Sequence, residues 1–185
     1  MDSLNSKQFS NMLEAYSTEF LSLLSKVTDS DFIIKSKERI TKTTSNWGDR
    51  KTAIDNMPQK GEPAIDFTYP DKDGNEFSLA SFRGTLIYVD VWATWCGPCK
   101  AEIPYLQKLE EEYKENCTIT FLSVSVDTDK DAWLKMVKEK ELGGTQLWAD
   151  GWSEITKSYA IFGIPRFMLF SADGDVISTN APRPS

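Results

Sequence analysis

The spacing of apolar residues changes partway along this chain, and the change separates two kinds of structure. Between Ser6 and Val27, the residues Phe9, Met12, Leu13, Tyr16, Phe20, Leu23, Leu24 and Val27 recur at helical spacings. That spacing collects them on one face of an amphipathic helix, with Ser6 as its expected cap. A weaker helical pattern runs from Asp31 to about Thr43, with Phe32, Ile33, Ile34 and Ile40 as its apolar set. Ser45 to Lys60 is polar, contains Gly48 and Pro58, and reads as a linker.

From Gly61 the pattern becomes one of short strands bounded by turn residues. Ala64–Tyr69 and Glu76–Ser78 flank Asp71-Lys72-Asp73-Gly74, which predicts a β-hairpin. Strand Leu86–Trp92 follows, then a helix over Pro98–Tyr113 whose inner face carries Ile103, Leu106, Leu109 and Tyr113. Next come strand Ile119–Val126, a helix from about Asp131 to Lys140, a short strand Gln146–Ala149 and a short helix Trp152–Tyr159. A last hairpin pairs Phe167–Phe170 with Asp175–Ser178. The β-α-β order with short connections predicts parallel central strands, and antiparallel strands at both ends complete a mixed α/β sheet. Two regions are thus expected: a helical segment with linker over 1–60 and an α/β domain over 61–185.

A chain of 185 residues with 40% hydrophobic content can bury a real core. Its net charge of −7 argues against nucleic acid or an anionic membrane surface as partner. No apolar stretch reaches the length of a membrane span. The start Met1-Asp2-Ser3-Leu4-Asn5 is acidic and polar, unlike a signal peptide.

The chemistry concentrates where the apolar run Val89-Asp90-Val91-Trp92-Ala93-Thr94-Trp95 meets Cys96-Gly97-Pro98-Cys99. A strand there delivers a Cys-x-x-Cys pair to the first turn of a helix. Unpaired N–H groups and the helix dipole at that point favour an anion, and the thiolate is the form of cysteine that attacks disulfides. Asp90 lies inside the apolar run, and a carboxylate in a buried strand needs a partner or a task. In a chain without histidine it is the best available general acid/base for the thiols. A solvent-facing Asp90 on a half-exposed strand is the competing reading. Cys117 reads as a partly buried packing residue, with a third redox thiol as the alternative, for which nothing near it supplies a partner or a positive field. The run Glu110-Glu111-Glu112 reads as a solvated helix face; Glu102, three residues past Cys99, reads as a surface residue, with tuning of the site as the competing reading.

Residues 89–100 closely resemble the active-site segment of thioredoxins. The wider stretch from Gly61 to Pro165 resembles the TlpA/ResA-like branch of that superfamily, extracytoplasmic thiol–disulfide oxidoreductases of bacteria. Asp66-Phe67-Thr68, Asp71–Gly74, Phe77-Ser78-Leu79 and Phe82-Arg83-Gly84 resemble the family's N-terminal hairpin. Pro104 stands where the family kinks its active-site helix, and Ser123–Asp127 resembles the following strand end. Phe162-Gly163-Ile164-Pro165 resembles the loop whose proline is cis and packs on the disulfide.

The resemblance implies a thioredoxin-like fold and a dithiol/disulfide cycle without a cofactor or metal. Cys96, the more exposed sulfur, attacks a substrate disulfide; Cys99 resolves the mixed disulfide; Asp90 takes the proton of Cys99. Trp95, Gly97 and Pro98 frame a docking patch, and the Ile164 backbone with Pro165 receives the substrate chain as an added strand. The implied partners are protein thiols and disulfides and an upstream electron donor, and the implied location is the periplasm or cell envelope. On that location the sequence is expected to start inside a longer precursor. Gly97-Pro98 carries no charge to stabilise the reduced form, which favours a reductase-like potential.

A peroxidatic site is disfavoured, because Val89 and Ala93 stand where its proline and threonine belong. Two alternatives stay open, a partner-binding module and a metal-chaperone-like module. The family's terminal helix has no counterpart after Ser178, so Phe167 and Leu169 are expected on an uncovered sheet face, with the helix at 6–27 as a candidate cover.

Overall fold

The structure, a computed structural model, describes residues 4–185; the acidic start at 1–3 lies outside the described residues. The chain divides into a compact unit ending at Met57 and a second one, Pro58–Ser185.

The first unit is a pair of helices, α1 (Ser6–Leu24) and α2 (Ser30–Asn56). Asn5, not Ser6, caps α1: its side chain accepts the Gln8 N–H while the Gln8 side chain accepts the Asn5 N–H. This reciprocal arrangement satisfies two orphan donors at once; a cap at Ser6 would put Phe9, which has no side-chain acceptor, at the returning position. The expected linker is also corrected, because α2 continues through it to Asn56. Lys51 pairs with Asp55 one turn on, and Gly48 is tolerated inside the helix at modest cost. Helical backbone stops at Met57, since the residue before Pro58 is pushed towards extended conformations. The broad apolar face expected for α1 narrows to a seam. Leu24 is buried and Phe9, Leu13 and Phe20 are partly so, whereas Met12, Tyr16 and Leu23 stay exposed. One partner helix covers a stripe, not a face.

The second unit begins with a hairpin, β1 (Thr68–Pro70) and β2 (Glu76–Ser78), and a single 3-10 turn at Leu79–Phe82. A five-stranded sheet follows: β3 (Leu86–Trp92), β4 (Ile119–Ser125), β5 (Thr145–Trp148), β6 (Arg166–Phe170) and β7 (Val176–Ser178). Its spatial order is β5-β4-β3-β6-β7, with β3, β4 and β5 parallel and β6 and β7 antiparallel additions. Helices α3 (Gly97–Tyr113), α4 (Lys130–Glu139) and α5 (Glu154–Ser158) connect the strands.

Strand β3 is buried on both faces, and its alternation decides what each face does. Ile87, Val89 and Val91 enter the larger core with Trp133 of α4 and Ile155 of α5. The hairpin closes that side: Phe67, Tyr69 and Leu79 are buried in the same core, and the Tyr69 hydroxyl accepts the Ile155 N–H at 2.9 Å. Tyr88 points the other way, into a smaller cluster with Phe121, Phe167 and Ala181, packed by Leu106 and Leu109 of α3. Tyr113, expected on that inner face, lies at the end of α3 and is exposed.

No helix follows β7 among the described residues, yet Phe167 is only 3% exposed. The expected bare face is therefore corrected. Residues 179–185 run across it as an extended tail: the Ala181 N–H donates to the Phe167 carbonyl at 2.8 Å and the Tyr88 hydroxyl to the Pro182 carbonyl at 2.7 Å. Leu169 is partly buried beside the same cluster.

Candidate active site

Cys96 sits at the N-cap of α3 and Cys99 in its first turn, and the two form a disulfide with Cα atoms 5.3 Å apart. The Cys99 N–H donates to Cys96 Sγ at 3.1 Å, so a free backbone donor of the helix end faces the first sulfur. Pro98 occupies the start of the helix, where its missing N–H costs nothing. Pro104 lies within the same helix. The sulfurs differ less in exposure than expected, since Cys96 is 5% and Cys99 4% exposed. What separates them is direction: Cys99 lines a cavity on the α3 side of the sheet, and Cys96 does not.

Asp90 belongs to that cavity. It alternates with Tyr88 on the α3 side of β3 and is buried, which removes the solvent-facing alternative. Opposite it in register is Ser123 of β4, whose hydroxyl donates to the Asp90 carboxylate. Burial pushes the Asp90 carboxyl up to about 7; the Ser123 hydrogen bond opposes that rise and the nearby Glu110 carboxylate adds to it. At neutrality this group both accepts and releases a proton.

Thr94 and Trp95 lie between the strand and the cysteines. The Thr94 hydroxyl donates to Asp127 at 2.7 Å and its N–H donates to the same carboxylate at 2.9 Å. Ser125 adds a third donor at 2.7 Å. Asp127, itself buried, thus fixes the segment that carries Cys96. Trp95 projects outward and is 60% exposed, and the space around the Gly97 Cα is open. The Ile164–Pro165 peptide is cis; Pro165 lines the cavity with Cys99, and Ile164 packs against the main core.

Three features depart from the sequence-based reading. Glu102 is buried, with Arg183 3.6 Å and the Ser185 hydroxyl 3.2 Å from its Oε1. Glu110 turns inward from the acidic run, and burial raises its carboxyl to about 7. Cys117 is exposed and free because it lies in the loop between α3 and β4, outside any packed layer. The spacing Cys99, Glu102, Leu106, Glu110 is one helical stripe, so the inward direction of both glutamates was readable from their phase with the cysteine. Ser123 and Asp127 carried a weaker signal, polar residues that with Ser125 alternate with Val124 and Val126 at and just past the end of β4.

Residues 59–185 match the Redoxin family. The ResA thiol-disulfide oxidoreductase of Bacillus thuringiensis subsp. konkukian is 32% identical over 117 residues, covering 63% of this chain and 66% of that protein. The chain thus spans just under two thirds of that relative. For ResA of Geobacillus kaustophilus the identity is 30% over 134 residues, covering 71% and 72%. Among solved structures, a provisionally assigned thiol-disulfide oxidoreductase from Bacteroides vulgatus superposes with a TM-score of 0.64 at 42% identity, over 69% of this chain and 89% of that one. A thiol-disulfide oxidoreductase from Bacteroides fragilis gives 0.62 at 30% identity, over 65% and 91%. With the hairpin, the mixed sheet and the cysteine pair at the start of α3, these matches identify the chain as a member of the Redoxin family, in the TlpA/ResA-like branch of the thioredoxin superfamily.

Proposed function

We propose that the protein is a thiol–disulfide oxidoreductase that reduces protein disulfides by cycling the Cys96–Cys99 pair between dithiol and disulfide. The observation that carries this reading is the disulfide at the N-terminus of α3 with a buried carboxylate beside its second sulfur. In the reduced protein the Cys96 thiolate attacks one sulfur of a substrate disulfide and the other substrate sulfur leaves as a thiolate. Cys99 then attacks Cys96 Sγ, forming the internal disulfide and releasing the second substrate thiolate. Asp90 takes the proton that Cys99 gives up in that step, directly or through one water. The exposed indole of Trp95, the open ground at Gly97 and Pro98, and the Ile164-Pro165 loop offer the substrate chain an apolar footing and an unpaired backbone. An external donor returns the pair to the dithiol form.

The uncharged Gly97-Pro98 spacer favours the reductive direction, and the relatives' chemistry fits a cell-envelope location. Insulin reduction with dithiothreitol as donor tests the proposal. The full chain should accelerate precipitation of the insulin B chain, and Cys96→Ser should abolish the acceleration. A wild-type rate no higher than that of dithiothreitol alone would overturn it.

A further inference from the structure

The cavity beside Cys99 contains more unmet polar groups than one acid/base residue needs. The Trp92 indole N–H, Glu110 Oε1, Glu102 Oε2 and Gln146 Oε1 are buried without a hydrogen-bond partner, and all four residues line it together with Asp90. Its free volume is about 20 Å3, enough for a water with several such partners. Glu110, Gln107 and Gly143 also line a second, solvent-open cleft. Glu110 therefore borders both the cavity that holds Asp90 and a cleft open to bulk water.

Two glycines make room for it. A Cβ on Gly143 would lie 2.5 Å from Glu110 Oε2, and one on Gly144 would lie 2.8 Å from the Phe121 carbonyl oxygen and 3.0 Å from Glu110 Oε1. Gly144 also has a φ of +59°, so its lack of a side chain has a backbone reason as well. Gly143 has no such reason, and the room it leaves is occupied by the carboxylate. The same strand end holds Gln146, whose amide donates to the Gly143 carbonyl at 2.7 Å and leaves its oxygen turned to the cavity.

We propose that Glu110 is the outlet by which the proton collected at Asp90 leaves the protein, relayed across the cavity and released into the open cleft. This rests on the proposed role of Asp90 as acceptor for Cys99. Balance is simple: as the Cys99–Cys96 bond forms and the Cys96–substrate bond breaks, one proton passes from the Cys99 thiol to Asp90. That proton then moves through cavity water to Glu110 and out, and the substrate sulfur departs with the electron pair of the broken bond. Glu110 acts through Asp90, not on the sulfurs, and is a positioning residue in that sense. Both carboxyls sit near 7, so a proton passes between them without a steep climb. The charged and titratable groups facing Glu110 are Asp90 and Glu102 inward and Glu111, Tyr113, Lys114, Cys117 and Glu141 around the outer cleft.

The test is the rate of mixed-disulfide resolution against pH and against the concentration of a small buffer such as imidazole, using the full chain. Wild type should be insensitive to buffer. Glu110→Gln should resolve roughly tenfold more slowly, regain rate as imidazole is raised, and show its pH midpoint shifted downward because a like charge near Asp90 is gone. Gly143→Ala, which drives the carboxylate from its place, should give the same buffer dependence and serves as the second variant should Glu110→Gln fold poorly. A loss of rate that buffer does not rescue in either variant would mark Glu110 as structural and overturn the outlet. If both variants resolve at the wild-type rate and pH while Asp90→Asn is slow, the outlet alone is wrong. If Asp90→Asn is also fast, the proposed role of Asp90 falls with it.

Discussion

Asp127 holds Thr94 by both its hydroxyl and its backbone N–H, and through Thr94 it fixes the approach of the chain to Cys96. The clamp joins the end of β4 to the end of β3, and neither partner is part of the chemistry. Asp127→Ala strands the Thr94 and Ser125 donors in a buried setting. The expected loss is about 2–3 kcal/mol of stability, read as a lower urea midpoint, with faster amide exchange at Thr94 and Trp95. An unchanged midpoint would show that water or a neighbour replaces the carboxylate.

Asp90 makes the fold less stable as the solution becomes less acidic. Burial holds its carboxyl at about 7 in the folded protein, against 3.8 for an exposed aspartate. Between those values the folded state holds more protons than the unfolded one, so stability falls as pH rises through that window and levels off above it. Asp90→Asn should therefore stabilise the protein at pH 8, by at most on the order of 4 kcal/mol, and by little near pH 4. Parallel stability curves for variant and wild type from pH 4 to 8 would contradict this.

The two sulfurs should separate by reactivity although their exposure is nearly equal. After reduction, Cys96 faces the helix-end N–H, whereas Cys99 faces a cavity lined by carboxylates. Iodoacetamide should modify Cys96 at lower pH than Cys99, measured by peptide mass spectrometry. Equal modification across pH 6 to 9 would remove the division of roles.

Cys117, exposed and outside the disulfide, should be labelled in the oxidised protein while Cys96 and Cys99 are protected. Cys117→Ser should leave insulin reduction unchanged and shift stability by less than about 0.5 kcal/mol. A loss of turnover would bring this thiol into the cycle.

Trp95→Ala tests the docking patch. An indole this exposed contributes little to the core, so the melting temperature should hold while KM for a protein disulfide rises several-fold and kcat changes less. A lower melting temperature with unchanged KM would assign Trp95 to packing.

Period and punctuation revealed most of the α/β unit. The run 86–92 is apolar on both faces, which is how a central parallel strand reads, and turn residues bracket each hairpin. The cysteine pair, Asp90 and the Ile164-Pro165 loop were legible because each breaks its local pattern. Three things were not. The extent of α2 was hidden by a polar sequence held by side-chain pairs one turn apart, which hydrophobic periodicity does not register. Charge alone reads Glu102 and Glu110 as surface residues, although their phase with Cys99 turns them inward. The tail at 179–185 covers a sheet face through backbone hydrogen bonds, and those leave no mark in side-chain pattern.

The two cross-strand links of the site, Asp90 to Ser123 and Thr94 to Asp127, each join residues 33 positions apart. Parallel pairing of β3 with β4 sets both spans, so a single event, closure of the β3-α3-β4 crossover, assembles them together. Contacts of such separation form late relative to local helix and turn. A nascent chain that has exposed both cysteines but not yet Ser123 and Asp127 therefore carries thiols without the Thr94 clamp and with an Asp90 that is neither buried nor held by its hydroxyl partner. Such a chain has sulfurs open to whatever oxidant or partner it meets first, and its selectivity begins when the crossover closes.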